Sequence, residues 1–303
     1  MIRVNGPILL IGLFLIAAFL RIPGISRSLS HDEIYTWVIF ASGPLVDIFT
    51  SYDLPNNHIL HTLFVRATAA VFGDAEWSLR LPALLASLFS LPVLFGLTRR
   101  LTQSIPAALG ATLLLAVSAV HIGFSQQARG YTLLMLFCLL HAWALLAAIE
   151  QLHARKPPPG HEWLLSAGTG TLAVFTLPSG AFFVGACAFS GAALIRIDLP
   201  RNHRHRAHVT LFLATVTVMA TAALLYVPRL DDLYSHASRF GIPLTFVSCP
   251  ALPSMSGPIL GRNDGTCSSV LSPLLAQDCC CVDDATGSSS SACWSCRCFS
   301  VSP

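Results

Sequence analysis

The chain is short of charge. Of its 303 residues only 11% are Asp, Glu, Lys or Arg, while 54% are apolar and the mean hydropathy is +0.66. Soluble domains carry about 25% charged residues, so this composition excludes an ordinary soluble globular domain. It points instead to repeated passage through a bilayer. Nor does one sign dominate. The net charge is +3, which leaves no electrostatic footprint for nucleic acid. The basic residues collect in short clusters between apolar runs, a pattern that sets membrane topology.

Two further absences narrow the class. The first apolar run, Pro7 to Ile22, ends in Phe19, Leu20, Arg21 and Ile22. All are large, so no small-residue cleavage site follows, and an uncleaved first helix is favoured over a signal peptide. No convincing internal repeat is present, and polar residues inside the runs, such as His141 and Thr217, are scattered. A transporter would show repeats and midplane polar groups, so a non-catalytic, transporter-like protein is the second choice.

What is there reads as an all-α polytopic bundle of about seven spans: 7–22, 79–98, 105–121, 131–149, 162–177, 180–196 and 209–228. Each approaches the roughly 20 residues that cross a bilayer, and lipid demands helices. The segment 58–73, HILHTLFVRATAAVFG, is shorter and carries His58, His61 and Arg66. A mid-helix Arg costs about 2.5–3.5 kcal/mol to insert, so this segment reads as an interfacial helix in the first outer loop. With that choice Arg3, Arg99-Arg100, Arg155-Lys156 and Arg196, Arg201, Arg204 and Arg206 all share one side, as the positive-inside rule requires. The loop 23–78 and the stretch HIGFSQQARGYT (121–132) then share the opposite, outer face.

Beyond residue 240 the character changes. The chain divides into residues 1–240 and a Ser- and Cys-rich, irregular tail, 241–303, holding eight of the ten cysteines. No helical or strand periodicity persists there. A disulfide module, a zinc site using Cys293 and Cys296, and plain disorder compete. The preferred explanation is a shifted reading frame after Phe246, which would make the chain a truncated fragment.

Polar groups on the outer face are the chemical candidates. SLSHDEIYTW (28–37) carries Asp32 and Glu33. The plain alternative is a solvated loop, with Ser30 and Glu33 forming a helix capping box. The functional possibility is a carboxylate that takes a proton from an acceptor hydroxyl, with a second that holds a cation or orients the first. Asp53, Asn57, His58 and His61 follow closely. Arg129, Tyr131 and Arg80 are either interfacial anchors or, for the arginines, phosphate clamps.

HDEIYTW, DLPNNHILHTL, FGDAEWSLRLPALLASLFSLPVLFGLTRRL and SAVHIGFSQQARGYTLLMLF, in this order, resemble the GT-C class of polytopic glycosyltransferases. That class includes the protein O-mannosyltransferases of glycosyltransferase family 39 and the aminoarabinose transferases of lipid A. The likeness covers about residues 7–230. It implies a bacterial inner-membrane enzyme that transfers a sugar from a polyprenyl-phosphate donor to a lipid, glycan or protein hydroxyl on the periplasmic face. By this resemblance Asp32 is the catalytic base or an acceptor-binding group, and Glu33 its partner. Asp53 contacts a sugar or metal, and Arg80 and Arg129 hold the lipid-linked phosphate or support the site. Glu33 and Asp53 are the candidate ligands for a divalent cation. Relatives carry His-Pro-Pro-Leu where this chain has Pro55-Asn56-Asn57-His58, so Asn57 and His58, with Tyr131, are expected as polar walls of the substrate site.

Overall fold

The computed structural model describes residues 6–50, 57–153 and 160–229. Arg3, Asp53, Arg155, Lys156, the expected boundary at 240–241 and the tail lie outside them. The described residues form helices and short connections with no strand: α1 Gly6–Arg21, α2 His31–Tyr35, α3 Leu45–Thr50, α4 Ile59–Phe72, α5 Glu76–Thr102, α6 Ile105–Val117, α7 Ala119–Ser125, α8 Tyr131–His153, α9 Gly160–Thr176, α10 Gly180–Asp198 and α11 Arg201–Tyr226. The all-α polytopic class is therefore correct. Four helices are long and apolar enough to cross a membrane: Glu76–Thr102, Tyr131–Leu152, Gly180–Asp198 and His203–Arg229. A fifth crossing exists if α6 and α7 count as one bent span. At 16 and 17 residues, α1 and α9 fall short of that length, so length and composition support four or five of the seven expected spans.

The bend between α6 and α7 measures 59° and has local causes. Ser118 is extended (φ −61°, ψ 115°), and its hydroxyl accepts from His121 N at 3.4 Å, starting α7 afresh. The carbonyls left at the end of α6 are taken by Arg21. Its Nη1 donates to Ala116 O at 3.0 Å and to Ala17 O at 2.9 Å, and its Nη2 lies 2.9 Å from His121 Nδ1. Arg21 is fully buried, so this side chain replaces the water that would otherwise satisfy a helix end.

α5 and α8 both start at one end of the bundle and finish at the other, and this sorts the polar ends. Arg100, in the last turn of α5, pairs with Glu150 near the end of α8 (2.6 Å). Arg196 closes α10, and Arg204 Nε donates to Leu199 O at 2.7 Å. At the opposite end lie Arg80, Arg129 and the start of α4. The described basic clusters thus share one end, as expected. The arginines at the other end are mostly tied to carbonyls. Arg66 reaches Ala41 O (3.1 Å) and Gly43 O, and Arg229 Nε donates to Phe49 O (2.8 Å). Arg66 therefore caps a wide π-type helical turn, Thr36–Ala41, which explains how α4 carries an arginine against an apolar bundle. α4 packs on α5, on that turn and on α9, and its 14 residues are too few to span.

α5 forms the spine, pairing with α4, α6 and α8, while α8 pairs closely with α9. The core of the second half gathers Leu145, Ala148, Ile149, Trp163, Ile195 and Leu211. Where α9 turns into α10, the chains come too close for a side chain: a Cβ on Gly180 would lie 2.9 Å from the backbone C and O of Ala173. Because that neighbour is backbone, it has no rotamer to yield. Gly180→Ala is expected to cost about 1–3 kcal/mol, checked as a lowered melting temperature of the detergent-solubilised protein.

Candidate functional site

The site grows from one short helix. Ser30 is extended (φ −71°, ψ 162°) and starts α2, whose first turn carries Asp32 and Glu33. Glu33 folds back so that its Oε2 accepts from Ser30 N at 2.8 Å and from Ser30 Oγ at 2.9 Å. This is the capping box expected from the spacing, and it turns Glu33 inward. There it meets Arg80, one turn into α5, at 2.8 Å (Nε to Oε1) and 2.9 Å (Nη2 to Oε2). Oε1 also accepts from Ala128 N at 2.7 Å. A carboxylate offers about four lone-pair positions, and Glu33 accepts from five donors. Its side chain is 2% exposed and that of Arg80 is 3% exposed.

Arg80 is filled as completely. Besides its two bonds to Glu33, Nη1 donates to Ile25 O (3.0 Å) and Arg27 O (2.6 Å), and Nη2 to Ser28 O (3.1 Å). A guanidinium has five N–H donors, and all five are in use. Burial raises the Glu33 carboxyl, but the hydrogen bonds from Arg80, Ser30 and Ala128 and the Arg80 charge outweigh it, and the net shift is downward. Glu33 is therefore ionised at neutral pH, and it joins three segments: residues 25–33, α5 and the turn before α8.

Asp32 points elsewhere. Its carboxylate is 43% exposed and pairs with Arg129 Nη1 at 2.7 Å; the Arg129 side chain is 18% exposed. The Arg129 guanidinium also sits 5.0 Å from the Tyr131 ring centroid, a cation–π contact. Tyr131 in turn meets the His58 ring edge-on at 5.2 Å and Phe124 at 4.6 Å. His58, at the start of α4, accepts from Gly130 N at 2.7 Å through Nδ1. Burial and the Arg129 charge push His58 down to about 4, against a smaller opposing pull from Asp32. Asn57 donates to Ile48 O at 3.1 Å and accepts from Thr62 Oγ1 at 3.2 Å, so it braces the wall from behind.

Asp32, Glu33, His58, Arg80, Arg129 and Tyr131, expected together from sequence, do converge, while Asp53 lies outside the described residues. Sequence reasoning did not foresee that the backbone of 128–130 is itself a partner, through Ala128 N and Gly130 N. The one available signal was Gly130, where a Cβ would meet Thr176 Cγ2 at 3.0 Å and His58 at 3.1 Å. His61 was named only as a neighbour. It is fully buried, and among the described residues neither ring nitrogen has a hydrogen-bond partner.

Of the two candidate cation ligands, only Glu33 lies among the described residues. Glu33's oxygens are occupied, and among the described residues no three His, Cys, Asp or Glu side chains converge to hold a metal ion. No step through a metal follows from this site.

The family model described as dolichyl-phosphate-mannose-protein mannosyltransferase matches residues 56–227, more than half of the chain. The match takes in Asn57, His58, Arg80, Arg129 and Tyr131 and begins after α2. Searches of curated proteins and of solved structures returned no significant match.

Two expectations follow from the geometry. Glu33→Gln leaves the Arg80 charge buried without its counter-ion and is expected to cost about 3–5 kcal/mol, read as loss of the folded, monodisperse protein on heating. His58 is held below its unfolded value near 6.5, so the unfolded chain binds the extra proton first. Stability is therefore full above pH 6.5 and falls as pH drops toward 4, by about 3 kcal/mol in all. In His58→Gln this part of the pH dependence is expected to vanish, as measured by melting temperature between pH 7 and 4.

Proposed function

The chain belongs to the dolichyl-phosphate-mannose-protein mannosyltransferase family, and from that premise we propose that it moves a sugar from a polyprenyl-phosphate carrier to an acceptor hydroxyl, with Asp32 as the base. As a member it is a membrane glycosyltransferase. The observation that carries the finer reading is the Asp32–Arg129 pair, the accessible edge of an otherwise buried ionic cluster.

The proposed reaction is an inverting displacement. The acceptor O–H gives its proton to the Asp32 carboxylate as its oxygen bonds to the anomeric carbon of the donor sugar. The bond from that carbon to the carrier phosphate breaks, and the phosphate leaves with the electron pair. Arg129 then has a defined task, because a guanidinium binds phosphate oxygens well and stabilises the charge that grows on them. With no donor bound, that guanidinium rests on Asp32. An arriving phosphate competes for it and frees the carboxylate to accept a proton, which links donor binding to base activation. Of the two parts expected for Arg80, phosphate ligand or support of the site, this scheme gives it the second, and Glu33, expected as catalytic partner, shares it. Their donors and acceptors are filled by each other and by the backbone, so they position α2 and the 128–130 turn. His58 and Tyr131 form the wall that holds Arg129 in place.

The site end is proposed to face outward, the periplasmic side of a bacterial inner membrane. The exposed basic residues Arg99, Arg196 and Arg201 at the other end support that orientation. The acceptor, whether lipid, glycan or protein, approaches the exposed face of Asp32.

The test is transfer from a polyprenyl-phosphate sugar in proteoliposomes. Asp32→Asn should fold as the parent does and lose about 100-fold or more of its turnover, the ordinary share of a general base. Equal turnover would remove Asp32 from the mechanism. Arg129→Gln is expected to raise the KM for the donor as well as lower kcat.

A further inference from the structure

The far end of the bundle, away from Asp32, holds a cavity of about 530 Å3 between α5, α8 and α9. The proposed transfer does not use it. Arg100, Gln151, His161 and Glu162 line its polar mouth, and Pro92 and Leu140 line its depth. From Arg100 to Pro92 along α5 is about 12 Å, so the cavity passes from the charged helix ends into the apolar part of the bundle.

Glu162 gives the mouth its chemistry. The residue is only 8% exposed. Its Oε1 accepts from Gln151 Nε2 and lies 2.8 Å from His161 Nε2. Its Oε2 is buried and has no hydrogen-bond partner among the described residues. A buried carboxylate oxygen without a donor is costly and calls for one. Across the mouth Arg100 is held by Glu150 through Nε and Nη2 (2.8 and 2.6 Å). Among the described residues its Nη1 has no hydrogen-bond partner and can donate to an anion. The depth is kept open by a close approach: a Cβ on Gly96 would fall 2.1 Å from the Trp143 ring. Glycine at 96 lets the edge of that ring press against α5, and Trp143 forms one wall of the cavity.

A buried acceptor, a fixed guanidinium and an apolar shaft match an amphipathic molecule with a cation, a phosphate and hydrocarbon. We propose that this cavity binds the headgroup and upper chains of a phospholipid bearing a primary ammonium, of the phosphatidylethanolamine type. The ammonium donates to the Glu162 carboxylate, the phosphate accepts from Arg100 Nη1, and an acyl chain follows the wall from Trp143 toward Pro92. The surrounding bilayer supplies such a molecule at high concentration, and the assignment is independent of the transfer chemistry at the other end.

The test uses the full chain purified in detergent, with thermal stability followed during titration with phosphatidylethanolamine, phosphatidylcholine and phosphatidylglycerol of matched chains. Phosphatidylcholine keeps the cation but has no N–H donor, and phosphatidylglycerol keeps the phosphate but has no cation. Phosphatidylethanolamine is expected to stabilise at about ten-fold lower concentration than either, the scale of one charge-assisted hydrogen bond. Glu162→Gln is expected to erase its preference over phosphatidylglycerol, and Arg100→Gln to weaken both. Soluble phosphoethanolamine, which lacks chains, is expected to have no effect at the same concentrations. Equal responses to the three lipids in the parent protein overturn the proposal without recourse to any variant. So does a preference for phosphatidylglycerol or phosphatidylcholine, an unchanged preference in Glu162→Gln, or stabilisation by phosphoethanolamine equal to that by the lipid.

Discussion

The ion pair between Glu33 and Arg80 is the constraint on which the polar end of the bundle depends. It is buried on both sides, and a buried pair is poor evidence for stability when counted alone. Here its value is geometric. Three loop carbonyls, one turn amide and one capping serine converge on the two side chains. Irregular backbone close to a bilayer has little water to satisfy it, so its polar groups need partners within the protein. A guanidinium with five donors and a carboxylate with two oxygens supply those partners at a single point. The loop 25–33 and the turn at 128 are thereby fixed to the first turn of α5.

The same device recurs around that end. Arg21 takes the carbonyls at the break between α6 and α7, Arg66 those after the Thr36–Ala41 turn, and Arg229 that of Phe49. Arginine is suited to this because it stays charged and its fork spans neighbouring carbonyls. The arginines of the bundle therefore divide by employment. At the far end several are exposed or paired at the rim; at the site end most are absorbed by the backbone. That difference, more than their number, is what makes charge topology usable in this chain.

Much of this was legible in the sequence and some was not, for identifiable reasons. The long apolar helices follow from composition, and the Ser30–Glu33 cap from a three-residue spacing. The convergence of α2 with the 121–132 stretch followed from charge topology, since both had to share a surface. Sequence did not reveal the roles within the cluster. Arg80 and Arg129 look alike as outer arginines, yet one is enclosed and the other half-open, and only packing decides which. Arg66 read as costly to insert because its partners, Ala41 O and Gly43 O, lie more than twenty residues away and are backbone atoms that no side-chain motif announces. The break at Ser118 was missed for a similar reason: Ser118 caps α7 locally, but Arg21, which takes the carbonyls left at the end of α6, is almost a hundred residues distant.

Asp32 and Glu33 show what the cap accomplishes for chemistry. Successive residues on a helix point about 100° apart, so a helix start that buries one can leave the other exposed. Ser30 turns Glu33 inward, where Arg80 and Ala128 hold it, and Asp32 is left facing the opening beside Arg129. A free loop carrying the same two acids would let either one pair with either arginine. The capped turn removes that ambiguity before any substrate arrives, because Arg80 has no donor left to offer and the acceptor positions of the enclosed Glu33 carboxylate are full. A carboxylate and a guanidinium thus end up adjacent on the accessible surface, the arrangement that the proposed transfer requires, while the charges that fix them stay enclosed.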